Sequence, residues 1–288
     1  MRLGRYLTIL AVITVTAISA NAQRGSFLNV PQNTKELAMG STNAGGDAEV
    51  VLDDSKITFD ASYISWSPKG VGSSIINGDF GFRIGKLAIL AQGGVNSYRP
   101  YPTIDGTGNS TGEYSPSEFV AGIGAAYSII PGLGVSLMAK YVGANLAPEA
   151  GSSAICADIN AAYKLKSLTI GLTGANIGSG TLPMLLEAGA RNTFDFGKTL
   201  KLCVGLDAGF LSQGQHNAVV ASAGIDLKII DMISVMAGYH FSSNSSFEPS
   251  YASAGLGIDI AMVRISAAYL TGNPYIGNTI GFTVGCAF

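Results

Sequence analysis

The stretch TIGFTVGCAF, Thr279 to Phe288, places apolar residues and small or polar ones at alternate positions. Ile280, Phe282, Val284, Cys286 and Phe288 share one face, and Thr279, Gly281, Thr283 and Gly285 share the other. Successive side chains of a strand point to opposite sides of its sheet, so this segment reads as a strand with one apolar side. Soluble domains usually finish in a frayed polar tail. Here the alternation runs to a final phenylalanine.

The same period recurs for more than two hundred residues. In LKLCVGLDAGF (200–210), Leu200, Leu202, Val204, Leu206, Ala208 and Phe210 oppose Lys201, Cys203, Gly205, Asp207 and Gly209. AICADINAAYK (154–164), DMISVMAGYHF (231–241) and MVRISAAYL (262–270) repeat the pattern, and nothing of comparable length has a helical period. The pattern predicts about fourteen strands, near 57–66, 73–84, 86–97, 115–130, 133–146, 152–164, 167–177, 182–196, 198–211, 216–229, 231–242, 250–260, 262–271 and 276–288. Tight turns at IGK, IPGL, KLKS, FGK, IID and IAM alternate with longer polar loops, 98–114 and 212–215 among them. An even strand number with short turns on one side and long loops on the other is the pattern of an all-β transmembrane antiparallel barrel. In lipid every edge N–H and C=O lacks a partner, so such a sheet has to close on itself.

Composition agrees. Charged residues are 12% of the chain and glycine 38 of 288, a charge-poor balance for a soluble domain. Arg2 and Arg5, the apolar run YLTILAVITVTAI and the small-residue site Ala20–Ala22 read as a secretory signal over 1–22. A cleaved signal implies export, and the barrel implies the outer membrane. Segment 23–56 is expected as an N-terminal plug inside the periplasmic half of a 57–288 barrel. It does not alternate, PQNTKELAMG suggests one short helix capped by Asn33 or Thr34 and ended by Gly40, and Leu28, Val30, Leu37 and Met39 are apolar enough to pack or to line a pocket.

The alternation assigns the lumen Asp79, Arg83, Asp158, Lys164, Glu187, Arg191, Lys201, Asp207, Asp226, Asp259 and Arg264, with many glycines. Both signs are present, so these can pair, and the glycines leave room for an inserted segment. Outward aromatics form two belts, Tyr127, Tyr163 and Phe196 at one end and Phe210, Phe241 and Tyr269 at the other. Cys156 and Cys203 point inward and Cys286 outward; three small side chains are expected, with a Cys156–Cys203 bridge left open. The two histidines, His216 in a loop and His240 on an inward phase, have no partners at metal-ligand spacing, and no nucleophile elbow or phosphate loop is present. No enzyme activity, cofactor, metal or nucleic-acid partner is expected.

FLNVPQNTKELAMGSTNAGGDA (27–48) resembles the N-terminal signature of the PorV/PorQ family, within the wider FadL-like barrels, and GEYSPSEFVAGIGAAY, LAPEAG and PSYASAGLGI resemble it further along. The resemblance implies a barrel that receives cargo proteins from a type IX-like secretion translocon or delivers them for surface attachment. Its candidate contacts are Tyr98, Pro100, Tyr101, Pro102 and Tyr114 in the longest loop. The FadL-like alternative is a channel for small hydrophobic molecules, with Leu28, Val30, Leu37 and Met39 as candidate lining. Phe288 resembles the terminal aromatic read by the barrel-assembly machinery, and outer-membrane lipid is the other implied partner. Where the family has an Asn-Pro-Ala stretch linked to a lateral exit, this chain reads ITFDASYISWSP, with Ser67-Pro68 later, and that argues against such an exit.

Overall fold

In the computed structural model the chain is described over residues 25–43, 45–66, 72–106, 108–178, 180–271 and 278–288. The segment read as a signal, 1–22, and Ser67-Pro68 lie outside the described residues.

Fourteen strands close an antiparallel barrel: β1 (Ile57–Trp66), β2 (Ser73–Ile84), β3 (Leu87–Tyr98), β6 (Ser117–Ile130), β7 (Leu133–Asn145), β8 (Gly151–Leu165), β9 (Leu168–Ile177), β10 (Met184–Phe196), β11 (Leu200–Gln213), β12 (His216–Ile229), β13 (Ile233–Ser242), β14 (Tyr251–Ile260), β15 (Val263–Thr271) and β16 (Thr279–Ala287). Each pairs with its neighbours in sequence, and β16 closes on β1 from Thr58 opposite Ala287 to Ser65 opposite Ile280. The Phe288 carbonyl accepts the Lys56 and Ile57 amides, so the seam is bonded to its last residue.

The alternation of β16 is realised residue by residue. Ile280, Phe282 and Val284 face out, and Thr279, Gly281, Thr283 and Gly285 are buried. Around the wall the outward positions are large and apolar (Ile123, Leu137, Leu172, Leu206, Leu256), each more than half exposed. A soluble protein does not present such a continuous apolar band, whereas hydrocarbon solvates it. Tyr127, Tyr163 and Phe196 are exposed near the short-turn end, and Phe210, Phe241 and Tyr269 near the long-loop end. Phe288 is exposed at the short-turn rim.

Two loop expectations are corrected. The 98–114 loop contains its own hairpin, β4 (Tyr101–Ile104) and β5 (Ser110–Tyr114). Residues 212–215 are no long loop: β11 and β12 join through Gly214 and Gln215 alone, with Gly214 at φ +61°, so His216 is the first residue of β12. At the short-turn end Ile230 and Asp231 both adopt positive φ (53° and 55°). Two successive left-handed residues suit the strand twist of a tight hairpin, but isoleucine is a poor occupant.

The plug fills the lumen. A 3₁₀ turn at Ser26–Asn29 leads to helix α1 (Thr34–Ala38), then to a second 3₁₀ turn at Gly46–Val51. Asn33 caps α1, its side chain accepting from the Glu36 amide, while Gly40 at φ +69° ends the turn beyond it. The expectation of a plug confined to the short-turn half fails. Gly25 N donates to Glu118 Oε1 (2.7 Å), beside the long-loop end of β6, while at the other end Asp53 pairs with Lys164 (3.3 Å) close to a short turn. The segment therefore traverses the lumen from one mouth to the other, because its polar ends find partners at opposite rims.

Candidate functional site

Helix α1 does not sit at the barrel centre. It leans on β13–β16, where Thr34 N donates to Thr283 Oγ1 (2.9 Å), Thr34 Oγ1 meets Ser266 Oγ (2.5 Å) and Ser253 bonds Gly40 N and Ala38 O. Close approach is possible because the wall lacks side chains there. A Cβ on Gly238 would land on the backbone of Met39 and Gly40, and one on Gly281 would meet Thr34 and Leu37. Leu37 and Met39 are fully buried in this contact. They belong to the packing, and the cavity lies elsewhere, which corrects half of the expected pocket set.

Between the plug and the opposite wall lies a cavity of about 190 Å³. Leu28, Val30 and Pro31 of the plug with Leu185, Leu211 and Val220 of the wall supply its apolar surface. Of the four apolar plug residues, Leu28 and Val30 lie on the cavity surface. Its polar surface carries Glu36, Asp47, Asp158, Glu187, Glu248, Lys140 and His240. The inward phase had marked Asp158, Glu187 and His240; Glu36, Asp47 and Glu248 lie on segments without period and gave no signal.

Lys140, nearly buried, is held by Asp158 Oδ2 (2.6 Å) and by Asn176 Oδ1 (2.6 Å). Asn176 takes a left-handed conformation (φ +56°) where the β8–β9 register slips between Ala157 and Ile159. Its amide donates to Asp158 Oδ1 (2.7 Å) and its side-chain NH₂ to Pro183 O (2.8 Å). A bulge leaves one residue out of the ladder, and here that residue knits the ion pair into the wall. Glu36 accepts from Gln32 N, Asn33 Nδ2 and Asn43 Nδ2. Burial, reinforced by Asp79, still pushes its carboxyl up to about 8. Burial likewise raises Glu248, in the loop after β13, to about 8, and Asp47 of the plug to about 6.

His240 is 6% exposed; its Nδ1 lies 3.0 Å from Ser222 Oγ, and its ring stacks on Tyr251. Its Nε2 has no hydrogen-bond partner among the described residues and faces Glu248 Oε1 at 3.8 Å. Elsewhere the lumenal charges pair with neighbouring strands or the plug: Arg191 with Glu49, Lys35 with Asp226 (3.9 Å), Lys228 and Arg264 with Asp259. Cys156, Cys203 and Cys286 are free thiols, which closes the question of a bridge.

The loop residues separate. Tyr98 turns in and donates its hydroxyl to Glu118 Oε2 (2.6 Å), on the carboxylate that holds Gly25. Tyr101 and Tyr114 meet at a tilt, ring centroids 5.7 Å apart, and donate to the carbonyls of Leu146 and Asn145 (3.3 Å each). Pro100 and Pro102 are exposed. Tyr98 thus contacts the carboxylate that holds the plug, and of the expected loop contacts Pro100, Tyr101 and Pro102 are exposed.

No family model matches the chain, and no curated protein matches its sequence. Solved structures of similar fold include the Ralstonia pickettii toluene transporter TbuX (TM-score 0.59, 13% identity, 89% of this chain and 98% of that one). The P. putida toluene transporter TodX gives 0.56 at 14% identity over 89% and 98%, and a Pseudomonas aeruginosa FadL homologue 0.51 at 12% over 90% and 98%. These structures share the fold of this chain, a closed antiparallel barrel of fourteen strands here. None of the three bears on the PorV/PorQ resemblance, which rests on the short motifs alone.

Proposed function

We propose that the protein is an outer-membrane channel of FadL type, exported after removal of its signal, that passes small molecules with substantial apolar surface. The observation that carries this reading is the cavity between an off-centre plug and the far wall, with Leu28, Val30, Leu185, Leu211 and Val220 on its surface. An engineered apolar cavity of about 150 Å³ takes benzene, so about 190 Å³ suits a body of one aromatic ring. The toluene transporters of similar fold support the same size class. Vesicles containing the protein should take up toluene-sized solutes faster than empty ones. Val220→Trp, which fills the cavity from the wall, should cut that uptake about tenfold; undiminished uptake would remove the cavity from the path.

The exposed Pro100–Tyr101–Pro102 surface favours a second reading, a contact for exported cargo or a translocon at the long-loop face. Rigid amphipathic aromatics give contact area at low entropy cost. Co-purification of secreted proteins with the wild type, lost in Tyr101→Ser, would support it. In either reading the exposure of Phe288 at the short-turn rim supports a role for it in contact with assembly machinery and lipid.

A further inference from the structure

The ionisable groups around the cavity are unbalanced in sign. Among the described residues Lys140 is the one lysine or arginine on its surface, and it is consumed by Asp158 at 2.6 Å. Glu36, Asp47, Glu187 and Glu248 remain, with no cation against them from within the lining. A second observation is independent of this count. His240, more than nine-tenths buried, presents an Nε2 without a hydrogen-bond partner toward Glu248 across 3.8 Å, beyond direct bonding. A buried polar atom left in this way signals an occupant that can hydrogen-bond. Gln32, also on the cavity surface, has an unpartnered Oε1, a further acceptor.

We infer that the cavity selects a small organic cation, an ammonium head on an apolar body of about one ring, over the corresponding hydrocarbon or carboxylate. This rests on the channel reading above and specifies its substrate class. A bare hydrocarbon displaces water while giving the carboxyls, Gln32 and His240 nothing in return, and an unsatisfied buried polar group is costly. A carboxylate ligand adds one more buried acid to a lining whose carboxyls burial already holds largely protonated at neutral pH, and it brings no cation against which they could ionise. An ammonium brings donors and the missing positive charge, and its apolar body lies against Leu28, Leu211 and Val220.

Benzylamine, toluene and benzoate share a body and differ at the head. Binding of each to the detergent-solubilised mature protein is measured by equilibrium dialysis, for wild type, Glu187→Gln, Glu248→Gln and the double variant. Each amide keeps the side-chain shape, and circular dichroism checks that the barrel is intact. The expected result is benzylamine binding at least tenfold tighter than benzoate or toluene, and losing about tenfold in the double variant. Toluene or benzoate binding as tightly as benzylamine overturns the inference while the channel reading stands. Benzylamine affinity unchanged in an intact double variant also overturns it. If none of the three binds and vesicles take up none faster than empty ones, the channel reading falls with it.

Discussion

On the side of β13–β16 the wall offers the lumen Gly238, Gly255 and Gly281, and helix α1 lies directly on it; on the side of β7–β10 the wall offers Lys140, Asp158, Asn160 and Glu187, and helix α1 stands off, while the second 3₁₀ turn packs on β7 and β8 nearer the short-turn end. At the level of helix α1 the lumen is therefore tight on one side and charged and hollow on the other. Backbone-to-backbone approach needs the absence of side chains, whereas buried charges need partners and room. The position of the plug follows from that contrast.

The largest expected effect tests the hollow side. Lys140→Met leaves the Asp158 carboxylate without its cation, and breaking such a buried pair costs about 3–5 kcal/mol. Urea unfolding in detergent should register this, and adding Asp158→Leu should recover most of it. A neutral single variant would mean that water solvates the pair and that the two sides differ less than their chemistry suggests. On the tight side, Gly238→Val drives two methyl groups at the Met39–Gly40 backbone. Overpacking of this kind costs about 1–3 kcal/mol. The expected outcome is an unseated plug, read as faster proteolysis within residues 25–54 with the barrel spectrum intact.

Acidity sharpens the contrast. The plug and the loop after β13 are not spanning segments, and burial holds Glu36 and Glu248 near 8 and Asp47 near 6. These values lie above the ordinary carboxylate range, so the seated plug binds more protons than a released one. Its stability is full below about pH 4.5 and falls as pH rises through 6 and toward 8. Hydrogen exchange of the plug amides, corrected for intrinsic rate, should show the open population rising between pH 5 and 8, about tenfold per unit for each proton lost. The smallest effect lies away from both sides. Ile230→Asn, at a left-handed position where the isoleucine is 66% exposed, should raise the unfolding midpoint by about 1 kcal/mol of added stability.

The wall was legible because alternation is a property of each strand alone. β1, β2 and β12 begin and end at the residues the pattern marks, and β16 faces as read. The β4–β5 hairpin was not legible, since YPTI and STGEY are short and carry no apolar period. Residues 212–215 looked like a long loop because their composition is polar, although the backbone needs only two residues to turn there. Nothing local announces the Asn176 bulge, and the rise of the plug to Glu118 depends on a bond between residues far apart in sequence. Of the pocket residues, Leu28 and Val30 were found by apolarity. The same criterion could not separate them from Leu37 and Met39, which only the packing of the plug against glycines distinguishes.

The bond from Thr34 N to Thr283 Oγ1 joins positions 249 apart along the chain. Contacts of such separation are slow to form because the intervening loop must first be closed. Half of the helix's seat is made of β15 and β16, so docking of α1 has to await the hairpin they form. Kinetically, a helix that precedes β1 in the chain comes to rest only once strands more than two hundred residues further on have paired.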